Sequence, residues 1–349
     1  MHIEKKVLCG LDQPYSVSAF TYEGEPCCLA ASEGVDGECL ILTGQAVYKL
    51  RGGLVGGCMN LVAVPECENT FITIQRFYPV FKSEAAQVVL VRAGKPNPDG
   101  TVSCEVHKLC DLPFAHRIAL IGEPGARMLV AGVLCRGKAF TDDWSQPGYV
   151  AAFPLNPQSA TVGEMEMILP ELHKNHGMAV GAQSGAYEML VSGEEGVFSV
   201  ARTNGAWQAS CILPEETSDV CMIDLDGDGE DEMLSIQGFH GNAFNAFKRD
   251  EKGDWARIYT HPLAFGHVLW CGEIGRHVCA LSGSRADRKE LTLHVFFRAH
   301  GHIEQEESTV LDAPCAPTQV TVQPTPDGAM IYAACTQTGE IVRYAVSHV

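Results

Sequence analysis

Several features that would assign a chain to a common class are missing from this sequence of 349 residues. No apolar run reaches the length of about 18 residues that a membrane-spanning helix requires. The first residues, MHIEKKVLCGLDQPYS, contain two lysines but no apolar stretch after them, so we expect no secretion signal there. We therefore expect a cytoplasmic protein that has no membrane partner.

Clusters of basic residues are also missing. The chain has 25 Lys and Arg against 43 Asp and Glu, which gives a net charge of −18. Such a charge repels phosphate backbones, so we expect no nucleic-acid partner. The 15 cysteines are scattered, odd in number and without a CxxC pair. We interpret them as reduced, mostly buried small hydrophobic residues rather than as a disulfide framework.

Helical periodicity and the common catalytic motifs are absent as well. With 35 glycines and 18 prolines, the chain contains no window of convincing 3.6-residue periodicity. It has no G-x-S-x-G, no P-loop, no G-x-G-x-x-G followed by a helix and no H-E-x-x-H. These absences favour an all-β chain whose function does not follow from any one short motif.

What the sequence does contain is a strand, a turn of Gly, Pro, Asp or Glu, and a second apolar strand, repeated seven times. The clearest copy is 218–236, SDVCMIDLDGDGEDEMLSI. The inner strands of the seven copies begin near Ser16, Met59, His116, His176, Asp219, His267 and Pro317. Successive starts are 43 residues apart at the shortest, from Ser16 to Met59, and 60 at the longest, from His116 to His176.

Two further strand-like runs complete each copy, as at 38–43 and 46–50 in the first. Four strands per repeat at this spacing predict a seven-bladed β-propeller that occupies residues 1–349 as a single domain. The last copy offers only three strands, and a spare strand at 3–9 precedes the first, so we expect the N-terminal strand to complete the last blade. A two-sheet sandwich or two smaller β domains are the alternatives.

The most clearly defined motif is the acidic loop between the first two strands of the fifth copy. Asp224, Asp226, Asp228 and Glu232 stand at positions 1, 3, 5 and 9 of a D-x-D-x-D-G loop, the spacing of a calcium-binding turn. Ser235 stands where an EF-hand would have its twelfth-position Glu. We therefore predict a calcium-type loop between strands, on the propeller face away from the longest connections.

The first positions of the inner strands converge on the axis of such a ring. His116, His176 and His267 share this position with Asp219. Neutral imidazoles from separate strands suit a divalent transition metal (Zn, Mn or Fe), so these three histidines are the predicted ligands. The alternative is that each imidazole caps its strand and bonds a neighbouring carbonyl.

Long connections between second and third strands, at 76–86, 135–147, 237–243 and 283–290, extend the same face. They carry several cations, which favour an anionic or polyhydroxylated ligand. His240, between Gly238 and Gly241, is the candidate general base or extra metal ligand; Tyr78 is the candidate proton donor and Arg285 the oxyanion clamp. Solvated loop residues remain the alternative for each. The candidate substrate-binding residues are Arg76, Lys82, Arg136, Trp144 and Asp219.

Two resemblances follow from these motifs. The segment DLDGDGEDEM resembles the FG-GAP or VCBS-type propeller repeat, which implies a calcium-binding loop. The runs HGMAVG at 176–181, HVLW at 267–270 and FHGN at 239–242 resemble the propeller of the aldos-2-ulose dehydratase group. That likeness covers mainly 116–295 and implies an axial metal that serves the dehydration and isomerisation of keto-sugars such as anhydrofructose. The fungal members add cupin-like domains, for which this chain has no room.

Two functions are therefore open. The first is a metal-dependent lyase or isomerase, of the dehydratase type, that acts on a keto-sugar or sugar acid at the axial pocket. The second is a non-catalytic carbohydrate- or protein-binding propeller with a structural calcium loop. A homodimer is left open as the assembly.

Overall fold

The computed structural model describes residues 1–181, 188–299 and 302–347, and within these ranges the chain is all-β. It forms 29 strands there and no helix, so the described residues include no helix that could cross a membrane. The turn that the sequence predicts inside the fourth repeat, at 182–187, lies outside the described residues.

The chain begins with β1 (His2–Gly10) and then forms two four-stranded antiparallel meanders. The first consists of β2 (Pro14–Tyr22), β3 (Glu25–Ser32), β4 (Cys39–Leu42) and β5 (Val47–Arg51). The second consists of β6 (Met59–Ala63), β7 (Thr70–Gln75), β8 (Gln87–Pro96) and β9 (Thr101–Asp111). A parallel pairing of β5 with β9, which the sequence did not predict, joins both meanders into one eight-stranded sheet.

The next two meanders form a sheet each. The third consists of β10 (Ala115–Ile121), β11 (Met128–Cys135), β12 (Pro147–Asn156) and β14 (Glu166–Leu172), with the short β13 (Thr161–Val162) also paired to β12. The fourth consists of β15 (Gly177–Val180), β16 (Glu188–Gly193), β17 (Gly196–Thr203) and β18 (Ala206–Leu213).

The fifth and sixth meanders repeat this pattern. The fifth consists of β19 (Thr217–Ile223), β20 (Glu232–Gln237), β21 (Ala243–Arg249) and β22 (Trp255–Pro262). The sixth consists of β23 (Gly266–Ile274), β24 (His277–Ser284), β25 (Leu291–Ala299) and β26 (His302–Asp312).

The last sheet joins the two ends of the chain. It consists of β27 (Pro317–Thr325), β28 (Gly328–Cys335), β29 (Glu340–Ser347) and β1. β1 runs antiparallel to β29, with His2 opposite Ser347 and Gly10 opposite Glu340. The N-terminal strand thus supplies the fourth strand of this sheet, as the sequence predicts.

The first strands of the meanders, here called the inner strands, contact one another in a closed cycle. Each touches the next, in the order β2, β6, β10, β15, β19, β23, β27 and back to β2. Apolar cores lie between neighbouring sheets: Ile72 and Leu129 belong to one of them, Leu293 and Ile331 to another. This all-β arrangement of four-stranded sheets is consistent with a β-propeller.

The pairing of β1 with β29 yields a stability prediction. Ile3, opposite Val346, packs against the apolar core between the last two sheets. We expect Ile3→Asp to lower the free energy of unfolding by about 1–3 kcal/mol, because it places a carboxylate against that core. Chemical denaturation followed by tryptophan fluorescence measures the change.

Lys6 provides the control in the same strand. Its side chain is exposed, so Lys6→Gln should change the free energy of unfolding by no more than about 0.5 kcal/mol. Equal effects of the two substitutions would show that β1 does not carry part of the core.

Candidate metal centre and axial channel

Four histidines meet where the inner strands begin. His116 lies in β10, His176 directly precedes β15, His267 lies in β23, and His240 belongs to the connection between β20 and β21. The ring centroids are 4.6 Å apart for His116 and His176, 5.0 Å for His176 and His240, 5.4 Å for His176 and His267, and 5.2 Å for His240 and His267. The shared strand position therefore brings together the three predicted histidines, and a connecting loop adds the fourth.

Three of them, His176, His240 and His267, form a group whose potential ligand atoms all lie within 4.8 Å of one another. The Nδ1 of His176 is 3.1 Å from the carbonyl oxygen of Ser218, and the Nδ1 of His267 is 2.8 Å from that of Thr318. Because a carbonyl only accepts, each Nδ1 carries the hydrogen and each Nε2 keeps its lone pair. The Nε2 of His176 is buried without a hydrogen-bond partner.

His240 is held in this group by its turn and by stacking. It adopts a positive φ of 48° between Gly238, with a φ of 79°, and Gly241. A Cβ at Gly241 would lie 1.5 Å from the carbonyl oxygen of Gln237, so the turn requires glycine there. The imidazole stacks on Phe265 at 4.4 Å and 17° and lies nearly parallel to that of His267, at 14°.

Burial keeps these imidazoles neutral. It lowers the pKa of His240 to about 4, with Arg285 and Arg117 lowering it further. Burial is also the largest cause that lowers the pKa values of His116, His176 and His267 well below their usual range. Neutral imidazoles with free lone pairs are what a transition metal requires of histidine ligands.

His116 lies beside the compact group of three, and its predicted role as a ligand stays a prediction. Its Nε2 is 3.2 Å from the hydroxyl of Tyr15, and that hydroxyl is 3.5 Å from the Nε2 of His267. The Nδ1 of His116 is buried without a partner. Tyr15, whose pKa burial raises to about 12, was not a candidate from the sequence. The only signal was its place directly before Ser16, the first inner-strand position.

Arg117 and Asp219 lie next to the histidines. Arg117 Nε donates to the carbonyl oxygen of His176 at 3.0 Å, and its guanidinium approaches the Asp219 carboxylate at 3.8 Å. Burial raises the pKa of Asp219 to about 6, against the opposing effect of Arg117. Together with His267, both residues line a channel of about 990 Å³.

The channel follows the inner strands away from the histidines. Its lining extends to Gly181 and Asp231, which belong to turns between first and second strands. The long connections between second and third strands start from the opposite ends of those strands. The histidines therefore lie between this channel on one side and the long connections on the other.

Two residues predicted from the long connections reach the histidines through aromatic contacts. The Trp144 ring is 5.3 Å from that of Phe239, which is 5.8 Å from the ring of His176. Arg285 lies over the ring of Phe265 at 5.8 Å and lowers the pKa values of His240 and His267. Trp144 and Arg285 thus border the centre on its loop side.

The other four loop residues make contacts with groups other than the histidines. Tyr78 is exposed and lines a separate cleft of about 370 Å³ beside Asp12 and Glu38. Arg136 lies 4.9 Å from the centre of the Tyr149 ring and bonds the carbonyl oxygen of Pro170. The backbone N–H groups of Arg76 and Lys82 bond the carbonyl oxygens of Gly56 and Pro79. No spacing in the sequence forces these residues toward the axis, so their predicted roles stay predictions.

A lysine side chain from a neighbouring strand lies among the carboxylates of the acidic loop. Oxygens of Asp224, Asp226 and Glu232 lie within 4.8 Å of one another. The ammonium of Lys248, in β21, bonds Asp226, bonds Asp228 at 2.6 Å and lies 3.3 Å from Glu232. Asp228 therefore contacts Lys248 but does not belong to the compact group of Asp224, Asp226 and Glu232. Lys248 lies 20 residues after Asp228, so the motif alone gave no sign of it.

This contact predicts that Lys248 and calcium compete for the same carboxylates. We expect Lys248→Met to bind calcium at least about tenfold more tightly than the unaltered chain, because removal of one competing charge frees three carboxylates. Isothermal titration with calcium chloride measures the two dissociation constants.

Lys252 gives a matched control, since it is an exposed lysine in the turn after β21 and bonds Asp250 through its backbone N–H. Lys252→Met changes the net charge equally but should leave the calcium affinity unchanged. The same gain in both variants would mean that only the overall charge matters.

Comparison with known proteins provides fold information only. No known protein family matches the chain, and no curated protein sequence matches it either. Among solved structures, the chain is similar to BBS1N, solved in complex with ARL6DN and soaked with mercury, with a TM-score of 0.59, 11% identity and coverage of 99% of this chain and 96% of that one. It is also similar to an ancestral GH74 enzyme, with a TM-score of 0.60, 12% identity, and coverage of 95% of this chain and 45% of the enzyme. Both neighbours are β-propeller-like.

Proposed function

We propose that this chain is a seven-bladed β-propeller enzyme with a divalent transition metal on its axis, and that it acts as a lyase or isomerase on a keto-sugar or sugar acid. The seven meanders, the closed cycle of inner strands and the propeller-like neighbours support the blade count. The resemblances to FG-GAP or VCBS-type repeats and to the aldos-2-ulose dehydratase group belong to the same proposal.

One observation carries the metal centre: three neutral histidines converge, and two of them have their tautomer fixed by a backbone carbonyl. His176 and His267 direct Nδ1–H to Ser218 and Thr318 and so present Nε2 to the centre. Metal-binding histidines in proteins show this pattern, in which the second ring nitrogen bonds a carbonyl. With His240 they make a set of three ligands that leaves coordination positions for a substrate.

The reaction class follows from the groups around these ligands. A divalent metal here would act as a Lewis acid on a substrate carbonyl, which makes the neighbouring C–H more acidic. The Nε2 of His116 and the hydroxyl of Tyr15 are hydrogen-bonded at the edge of the centre, and the Nδ1 of His116 has no hydrogen-bond partner. This pair can accept the proton from carbon and return one to the leaving oxygen. We therefore assign His116 the role of base and Tyr15 that of its hydrogen-bond partner.

A non-catalytic carbohydrate- or protein-binding propeller with a calcium loop is the second candidate. The acidic loop supports it, since its carboxylates already form a compact group. Lys248 in that group weighs against calcium, whereas the unpartnered buried nitrogens of His116 and His176 favour the enzyme.

Metal content distinguishes the two candidates. Elemental analysis of the tag-free protein should find zinc, manganese or iron near one per chain. We expect the metal to be lost in His176→Ala and His240→Ala, because two imidazoles bind far more weakly than three. His107→Ala, which removes a half-exposed histidine in β9, should keep the metal. A chain that binds calcium alone would contradict the axial centre.

The two predicted roles of histidine are separable. His116→Ala should retain the metal and lose about 10²- to 10⁴-fold in turnover, as expected for removal of a general base. Loss of the metal in His116→Ala would instead make His116 a ligand.

The activity itself can be tested with a panel of keto-sugars and uronates. Elimination of water from such substrates creates a conjugated carbonyl, whose new ultraviolet absorbance reports turnover. The absence of product from every compound, with the metal fully loaded, would favour the binding function.

A further inference from the structure

The axial channel contains an arginine that the proposed reaction has not used. Building on the proposed function, we propose that Arg117 binds the carboxylate of the substrate inside the channel, so that the substrate is a sugar acid and approaches the metal from the channel side. Arg117 lines the channel together with His267, one of the three proposed ligands. A group bound to Arg117 is thus adjacent to the centre.

Arg117 keeps donors available for a ligand. A guanidinium has five N–H donors in a fixed fork. The Nε–H is committed to the carbonyl oxygen of His176 at 3.0 Å, and the terminal nitrogen approaches Asp219 only at 3.8 Å, beyond normal hydrogen-bond distance. The side chain is 11% exposed, so most of its surface is shielded from water. A carboxylate in the channel would accept paired, charge-assisted hydrogen bonds from the remaining N–H groups of the guanidinium.

The charges around the histidines also favour an anion. Although the protein carries a net charge of −18, both Arg117 and Arg285 act on His240 and His267 with positive charge. Glu33 lies within electrostatic reach of Arg285, so Arg285 already has a negative counterpart. Among the described residues, the carboxylate that Arg117 approaches is that of Asp219, at 3.8 Å. Arg117 is therefore the better anchor for an anionic group.

The volume and the lining residues of the channel suit a sugar ligand. Its volume of about 990 Å³ lies within the range of small-molecule pockets. Met178, Met222 and Trp270 contribute apolar surface to it. The Trp270 ring lies against Gly272, where a Cβ would come within 2.4 Å of the indole. A lining that contains one aromatic ring and one arginine suits a sugar ring with one carboxylate.

Two ligands that differ only in charge test this inference. Isothermal titration of the metal-loaded protein would compare D-glucuronate with the neutral D-glucuronamide. We expect the unaltered chain to prefer the carboxylate by at least about tenfold. Arg117→Gln should reduce that preference to less than about threefold, and its affinity for the amide should stay the same. Arg117→Lys keeps the charge without the fork, and an intermediate preference is expected.

Arg285→Gln is the matched control, because it removes an arginine from the loop side of the same histidines. It should keep the full preference for the carboxylate. Trp270→Ala should weaken both ligands to the same extent, as it removes a wall and no charge. The inference is overturned if the unaltered chain binds both ligands equally or neither of them, if Arg285→Gln removes the preference, or if Trp270→Ala changes nothing.

Elemental analysis of the same samples separates the two proposals. A carboxylate preference that depends on Arg117 in a chain without transition metal would support the channel site and overturn the proposed enzyme. A loaded metal with no carboxylate preference would overturn the channel site alone.

Discussion

The centre of this molecule depends on two hydrogen bonds from imidazoles to backbone carbonyls. His176 and His267 each give Nδ1–H to a carbonyl of another sheet, at Ser218 in β19 and Thr318 in β27. A ring bonded in this way is held in one orientation and one tautomer. The Nε2 of His176 has no other partner, whereas the Nε2 of His267 lies 3.5 Å from the Tyr15 hydroxyl. The ring of sheets thus fixes the orientation of both imidazoles.

The same structure contains a contrast between its two candidate cation sites. At the axis, three neutral imidazoles lie together, and no Lys or Arg side chain among the described residues is hydrogen-bonded to their ring nitrogens. Arg117 and Arg285 act on His240 and His267 only through their charge. In the acidic loop, by contrast, Lys248 places its ammonium among three carboxylates. The more conspicuous motif is therefore already neutralised in part by the chain itself, whereas the less conspicuous one retains unpartnered nitrogen atoms.

Much of the architecture could be predicted because strand periodicity and turn residues are local signals. The inner strands begin within two residues of the expected positions, as at Met59, Pro317 and Gly177, and the N-terminal strand pairs where it was expected. His176 and His267 could be found because equivalent positions in repeats become neighbours on an axis. Lys248 could not be found, because it reaches the acidic loop from the third strand of the same sheet. Tyr15 and Arg117 could not be found, since their roles depend on which side chain crosses a gap between sheets. The same reason separates Trp144, which reaches the centre through Phe239, from Tyr78, which does not.

The closure of the last sheet determines when, during synthesis of the chain, the histidine cluster can form. Thr318, which orients His267, follows it by 51 residues, and Tyr15, which bonds both His116 and His267, lies in the first meander. A growing chain that has completed six meanders therefore still lacks the carbonyl that fixes one proposed ligand. Tight metal binding would then begin only after the final strands have been synthesised and docked.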